Sequence, residues 1–204
     1  MGLATVGHGA AAIPSEGDAR LMSETRREVV ITGSRLELAR FDESDVEAVH
    51  AFAADPVVCR FTGWGPNTLA DTRKFVADAT RVRSDRYDLA VIRGQELIGS
   101  ASVWTTSPEH LVGELGYTIR RDCWGHGYAS EVAHLLVDLG FEKLGLERLA
   151  ATCDPANTAS VRVLEKAGLQ REGLLRGLLL VRGRRRDRLM FGRLRPEPAQ
   201  AGSV

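Results

Sequence analysis

Disulfide and zinc chemistry have little material in this sequence. Its 204 residues contain three cysteines, Cys59, Cys123 and Cys153, and no two stand in C-x-x-C spacing. Thiols so few and unpatterned supply neither a disulfide framework nor a metal site, and they suit a reducing compartment. Long apolar runs are missing too: nothing approaches the roughly 18 to 20 residues needed to cross a bilayer. No Lys or Arg precedes Arg20, so the basic start of a secretory signal is lacking. Gly2 is followed by Val6 where N-myristoylation wants Ser or Thr. A soluble cytoplasmic protein without membrane or metal is the expectation. Charge of one sign is not in excess, since 27 Lys+Arg balance 27 Asp+Glu. With 44% hydrophobic and 26% charged residues, the chain is globular in composition and long enough for one domain with a sizeable core.

Residues 1–27, rich in Gly, Ala and Ser, read as a flexible leader, and Met22 could itself start the chain. Residues 28–195 form the folded domain, and 196–204, with two prolines, a loose tail. Within the domain, 28–40 alternate after Gly33 as a half-buried strand does. A helix is expected over 43–54, with Val46, Val49 and Ala53 on one face. A second runs from 68 to about 83, with Leu69, Thr72, Phe75, Val76, Ala79 and Val82 as its stripe. Strands 87–93 and 96–105 meet at Gly94-Gln95, a tight hairpin turn. Then come strand 112–120, helix 127–144, strand 147–153, helix 157–167, and strands 169–181 and 185–194 around Gly183. This order indicates one mixed α/β sheet.

The sharpest local feature joins a strand to a helix through Arg121-Asp122-Cys123-Trp124-Gly125-His126-Gly127, with Tyr128 and Ala129 opening the helix. Glycines at a helix mouth let backbone N–H groups approach an anion, and the helix dipole adds positive potential. Such a segment is either a phosphate cradle or a plain strand-to-helix turn. A dinucleotide fingerprint is excluded by Ser130 where its third glycine belongs, and a P-loop by the lack of G-K-[ST].

Downstream residues decide. Glu114-Leu115-Gly116-Tyr117, then Trp124-Gly125-His126-Gly127-Tyr128-Ala129-Ser130-Glu131, then Asn157 to Leu169, with Glu172-Gly173, Gly183 and Asp187 beyond, together resemble the GNAT superfamily of N-acetyltransferases, in its RimJ/RimL-like ribosomal-protein-alanine acetyltransferase branch. The resemblance covers about residues 34–195. It differs at Asp122, where the superfamily usually has Arg or Gln, and at Leu169, where the branch has Phe. It implies an α/β (α+β) fold with a single mixed, mostly antiparallel sheet of about seven strands flanked by about four helices. It also implies an acyltransferase moving an acetyl group from acetyl-CoA to an amine by direct attack in a ternary complex, with no metal.

By the same resemblance, the backbone amides of Gly125, His126, Gly127, Tyr128 and Ala129 hold the pyrophosphate. Ile119 and Arg121 offer strand backbone groups to the pantetheine, Asn157 hydrogen-bonds it, and Ser160 meets the sulfur. Glu114 is the candidate base. Read from the residues, Asn157 is also an N-cap with Ser160 third in its helix, and Glu114 could equally be a hairpin-paired surface carboxylate. Phe61, Trp64 and Gly65 are acceptor-contact candidates in the loop between the first two helices, with a core plug as the other reading. The His126 side chain is expected to be an exposed bystander and Cys123 structural. The acceptor is a protein N-terminal amine or a small-molecule amine, and a homodimer is compatible with the sequence.

Between Arg171 and Arg195 nine arginines face only Glu172 and Asp187. That local charge of +7 is cancelled by the rest of the chain. A basic hairpin suits RNA phosphates, ribosome association or an acidic acceptor, though no aromatics interleave Arg184-Arg185-Arg186 for base stacking. The alternatives to the enzyme are therefore an RNA- or ribosome-docking module and a non-catalytic acetyl-CoA sensor. A solvated strand accounts for the same charges.

Overall fold

A computed structural model describes residues 27–197. The leader and tail expectations, apart from Arg27, Pro196 and Glu197, lie outside the described residues. In chain order the elements are β1 (Val29–Thr32), β2 (Glu37–Arg40), α1 (Val46–Ala53), α2 (Leu69–Ala79), β3 (Arg86–Arg93), β4 (Glu96–Ser107), β5 (Val112–Ile119), α3 (Tyr128–Glu142), β6 (Arg148–Cys153), α4 (Thr158–Lys166), β7 (Gln170–Val181) and β8 (Arg184–Leu194). Four helices therefore accompany eight strands rather than about seven.

The extra strand comes from 28–40, expected as one strand and observed as a hairpin. The Gly33 N–H donates to Leu36 O at 2.8 Å, folding β2 back on β1. A Cβ on Gly33 would lie 2.7 Å from Glu131 Oε1, so the turn also serves a close approach of α3. The second expected helix is shorter than read. Thr68 and Asp71 cap α2 reciprocally, but it ends at Ala79, and Val82, placed on the stripe by period alone, is 73% exposed.

Among the described residues all strands lie in one sheet, ordered β1-β2-β3-β4-β5-β6-β8-β7, and only β5 and β6 run parallel. Side chains alternate across it with the strand period of two. One face, including Leu38, Val91, Val103, Leu115, Leu149 and Phe191, packs on α3 and α4 through Val132, Leu136, Leu139 and Leu164. The opposite face, through Ala39, Ala90 and Ile92, packs on α1 and α2 through Val49, Phe52 and Val76. Among the described residues no helix is long and apolar enough to cross a membrane.

Candidate active site

The parallel pair holds together only over Val112↔Arg148, Gly113↔Leu149 and Glu114↔Ala150. Beyond Glu114, β5 stays with β4 as far as Gly99↔Ile119, and β6 follows β8 as far as Cys153↔Leu189. The sheet thus splits. The Arg120 N–H donates to Ile98 O at 2.8 Å, which makes Gly99–Ile119 a non-hydrogen-bonded pair of the antiparallel ladder. The backbone groups of Ile119, and of Tyr117 two residues earlier, therefore point away from β4 into the split. The Ile119 carbonyl already accepts from the Trp124 indole Nε1 at 2.7 Å, leaving its N–H for a ligand. Arg121 lies beyond the strand, in a single 3-10 turn of Arg121–Cys123, and its carbonyl takes the Trp124 N–H. It is not the strand residue expected from the sequence.

That turn delivers the chain to α3. Gly125 and Gly127 take φ of 81° and 79°, left-handed values open to glycine at no steric cost. A Cβ on Gly125 would meet nothing within 4 Å. Among the described residues no side chain caps α3 at Gly127, which leaves its first amides without an intrahelical partner. The cradle is braced from behind. Glu131 Oε1 accepts from the backbone N–H groups of Arg35 at 2.7 Å and Leu36 at 3.2 Å, and from Ser34 Oγ at 3.1 Å. Arg35 Nε donates to Glu131 Oε2 at 2.9 Å and Arg35 Nη1 to His126 O at 2.8 Å. The Arg35 guanidinium also lies 4.8 Å from the centre of the Tyr128 ring, which stacks on His126. Burial pushes the Glu131 carboxyl up, but the hydrogen bonds from Arg35 and Ser34 outweigh it and hold the group below its usual range.

The departure at Asp122 is neutralised locally. Arg120 Nε and Nη2 donate to its two oxygens at 2.7 and 2.9 Å, and the same guanidinium holds Glu96. The Arg120 hydrogen bond pulls the Asp122 carboxyl down, so its charge stays paired beside the loop.

On the α3–α4 side of the split, Asn157 Oδ1 accepts from the Ser160 N–H at 3.1 Å and caps α4. The cap uses the amide oxygen and leaves Asn157 Nδ2 available. Tyr117 projects to this side and packs against the larger core. Its hydroxyl is buried with no hydrogen-bond partner among the described residues, and burial pushes it up to about 12 although Ser160 lies near enough to lower it. An orphaned donor at the split is a place for a ligand acceptor.

The other face carries Glu114. It is half-buried and makes no hydrogen bond among the described residues, and burial raises its carboxyl. Trp104 stands opposite in the β4–β5 register, and the Arg86 guanidinium sits 5.2 Å from that indole's ring centre. Phe61 and Gly65 bound a segment tied to the β7–β8 hairpin. Arg182 Nη2 donates to Cys59 O at 3.2 Å and Gly65 O at 2.5 Å, while Arg188 donates to Phe61 O at 3.0 Å and Thr152 O at 3.2 Å. Burial pushes the Arg188 guanidinium down. Gly65 has φ of 67°, and a Cβ there would lie 2.7 Å from Cys59 Sγ, so its backbone role is to turn the loop. Trp64 is 42% exposed and is no core plug.

The structure thus brings Glu114, Ile119, Gly125, His126, Gly127, Tyr128, Ala129, Asn157 and Ser160 to the borders of one split, with Phe61, Trp64 and Gly65 across the β7–β8 hairpin from it. Sequence reading missed Arg35, Glu131, Trp124, Tyr117, Arg182 and Arg188. Glu131 stood within the quoted motif, but its partners lie about a hundred residues upstream. Among the described residues no three His, Cys, Asp or Glu side chains cluster as metal ligands. The cysteines are all buried and free, and burial raises each thiol.

The family model described as an acetyltransferase (GNAT) domain matches residues 35–170. The chain is 32% identical over 170 residues to the uncharacterized N-acetyltransferase p20 of Bacillus licheniformis, covering 81% of this chain and 96% of that one. It is 31% identical over 147 residues to the uncharacterized N-acetyltransferase YnaD of Bacillus subtilis (strain 168), covering 72% and 85%. A crystal structure of a GNAT-family acetyltransferase from Bacillus anthracis aligns with a TM-score of 0.74 at 32% identity, covering 80% of this chain and 97% of that one. A RimL ribosomal L7/L12 alpha-N-protein acetyltransferase in complex with coenzyme A shares the fold, with a TM-score of 0.73 at 22% identity over 82% of this chain and 98% of its own.

Proposed function

This chain belongs to the GNAT family of N-acetyltransferases, and from that premise we propose that it carries an acetyl group from acetyl-CoA to a primary amine. The amine is a protein N-terminal α-amine or a small-molecule amine, attacking the thioester directly in a ternary complex. The observation that carries this reading is the split after Glu114, which exposes strand backbone beside an uncapped helix mouth.

The residues present fit an acyl-CoA. The amides of Gly125, His126, Gly127, Tyr128 and Ala129 suit a pyrophosphate at the start of α3. The Ile119 N–H and Asn157 Nδ2 suit the amides of a pantetheine arm. Glu114, on the face opposite α3 and α4, accepts the proton that the attacking amine must lose. An α-amine of pKa near 8 gives it up at little cost, whereas a lysine ε-amine lies about three units above neutral pH. As the new N–C bond forms, the C–S bond breaks, and the Ser160 hydroxyl donates to the departing sulfur from the other face. Arg121 has its N–H alone to contribute. Phe61, Trp64 and Gly65 wall the amine's approach on the Glu114 side.

Calorimetric titration with acetyl-CoA, followed by thiol release over a panel of amines and peptides, tests the reading. Binding with turnover is expected, and Glu114→Gln should lower kcat by about a hundredfold or more and flatten its acid limb with acetyl-CoA affinity nearly intact. Equal turnover in the variant removes Glu114 from the reaction. A silent acetyl-CoA titration removes the reading itself.

A further inference from the structure

The arginines of this protein divide into two populations. Arg27, Arg35, Arg86, Arg120, Arg148 and Arg195 each stand within 4.0 Å of a carboxylate. Arg60, Arg182, Arg184, Arg185, Arg186 and Arg188 have none among the described residues. Arg73, Arg121, Arg162, Arg171, Arg176 and Arg193 also lack a carboxylate partner among the described residues, but the six named gather in one place. They occupy the β7–β8 hairpin toward its tip and the loop after α1, and Arg182 and Arg188 tie those two segments into one surface through the carbonyls of Cys59, Phe61 and Gly65. With those two committed to carbonyls and Arg185 to Gly177 O, the exposed guanidinium groups of Arg60, Arg184 and Arg186 keep their donors free among the described residues.

Strand periodicity fixes where they point. Leu189 and Phe191 of β8 belong to the core beneath α3 and α4, so Arg184, Arg186 and Arg188 line the opposite face, the face of Glu114. Arg186 pairs in register with Leu179, and Leu179 reaches the loop at Gly63. A shallow cleft between them is lined by Arg60, Phe61, Thr62, Asp154, Arg186 and Arg188. Its one acid, Asp154, already accepts from the Ala156 N–H. The basic ladder therefore begins at the acceptor side of the split and runs outward.

We propose that this ladder is the docking surface for an acidic polypeptide acceptor, whose free N-terminus enters at Glu114 while its carboxylates lie along Arg60, Arg184 and Arg186. The proposal rests on the acetyltransferase reading and deepens it. The spacing gives the position of the acids. Glu114 is level with Ala150 and Gly192, and Arg188, Arg186 and Arg184 lie four, six and eight residues further along β8. At about 3.3 Å per residue that is about 13, 20 and 26 Å, so an extended acceptor places residues from about position five to position nine over the ladder. Guanidinium groups accept carboxylates bidentately, and like charge on an acceptor is repelled there.

Ten-residue peptides with a free N-terminus, a common first four residues, and either Asp/Glu or Asn/Gln at positions five to nine test this. Each carries a C-terminal fluorophore for anisotropy at low salt. The acidic peptide is expected to bind about five- to tenfold more tightly, with the advantage shrinking as salt is raised. The double variant Arg184→Glu, Arg186→Glu should abolish or invert the preference. Both side chains are exposed and make no hydrogen bond among the described residues, so the change does not threaten folding. Equal affinities, or a preference that survives the double variant, overturn the proposal. So does retention of single-stranded RNA that the double variant abolishes while peptides bind alike, which assigns the ladder to RNA. Acetyl-CoA titration is read separately. If acetyl-CoA binds and the peptides bind alike, the inference falls and the reading stands. If acetyl-CoA is silent and the acidic preference holds, the surface stands and the reading falls.

Discussion

Glu131→Ala removes the brace behind the cradle, and its cost can be worked from the contacts. The side chain is 11% exposed and Arg35 is 49% exposed, so the ion pair itself, screened by solvent, adds little. The weight falls on the carboxylate's bonds to the Arg35 and Leu36 N–H groups, each of a kind that contributes about 1.5–3 kcal/mol and not additively. We expect a loss of about 3 kcal/mol, or about 6–12 °C in Tm for a domain of this size. The pH dependence follows from the depressed carboxyl. A group whose folded pKa lies below its unfolded value stabilises fully above the unfolded value, and that contribution is lost as pH falls through the folded one. Urea midpoints of wild type and variant should therefore differ by a constant amount above about pH 5 and converge at lower pH. Loss of the Arg35 anchor on His126 O should also weaken acetyl-CoA binding in calorimetry. A difference under about 1 kcal/mol at neutral pH, or one that persists unchanged into acid, would refute the reasoning.

Two other substitutions probe the split. Gly127→Val forces a β-branched residue to φ of 79° and brings its Cβ to 3.5 Å from Arg35 Nη2. It should cost about 1–3 kcal/mol in denaturation and weaken acetyl-CoA binding, and normal affinity would sink the loop assignment. Tyr117→Phe deletes a buried hydroxyl that has no hydrogen-bond partner among the described residues, so the melting temperature should hold or rise. If the hydroxyl meets the bound donor, KM for acetyl-CoA should rise in the same variant, and a drop in stability without a kinetic change would show a structural partner instead.

What the sequence made legible was what local pattern encodes. The Gly94-Gln95 turn, the glycines of the helix mouth and the Asn157 cap all act over a few residues. The face of Glu114 was open in the sequence, because alternation leaves only two choices and Leu115 belongs to the core. Alternation does not register a turn, so 28–40 has the pattern of one strand although the Gly33–Leu36 bond folds it into a hairpin. Period likewise carried the stripe of α2 past Ala79 to Val82, where the helix has ended. Contacts across more than ninety residues left no local mark. Glu131 with Arg35, and Arg182 with Cys59 and Gly65, are of this kind, and they decide which arginines are spent on backbone and which remain free.

The seam between β5 and β6 has a mechanical meaning. Three residue pairs join two slabs, β1 to β5 on one side and β6 to β8 on the other. The Arg182 and Arg188 ties couple the second slab back to the loop after α1. A molecule laid along the open edge supplies the rungs that the ladder lacks, acting as a removable strand. A ligand that binds only the joined arrangement stabilises it by mass action, so hydrogen exchange of the β5 and β6 amides at the seam should slow when that edge is filled.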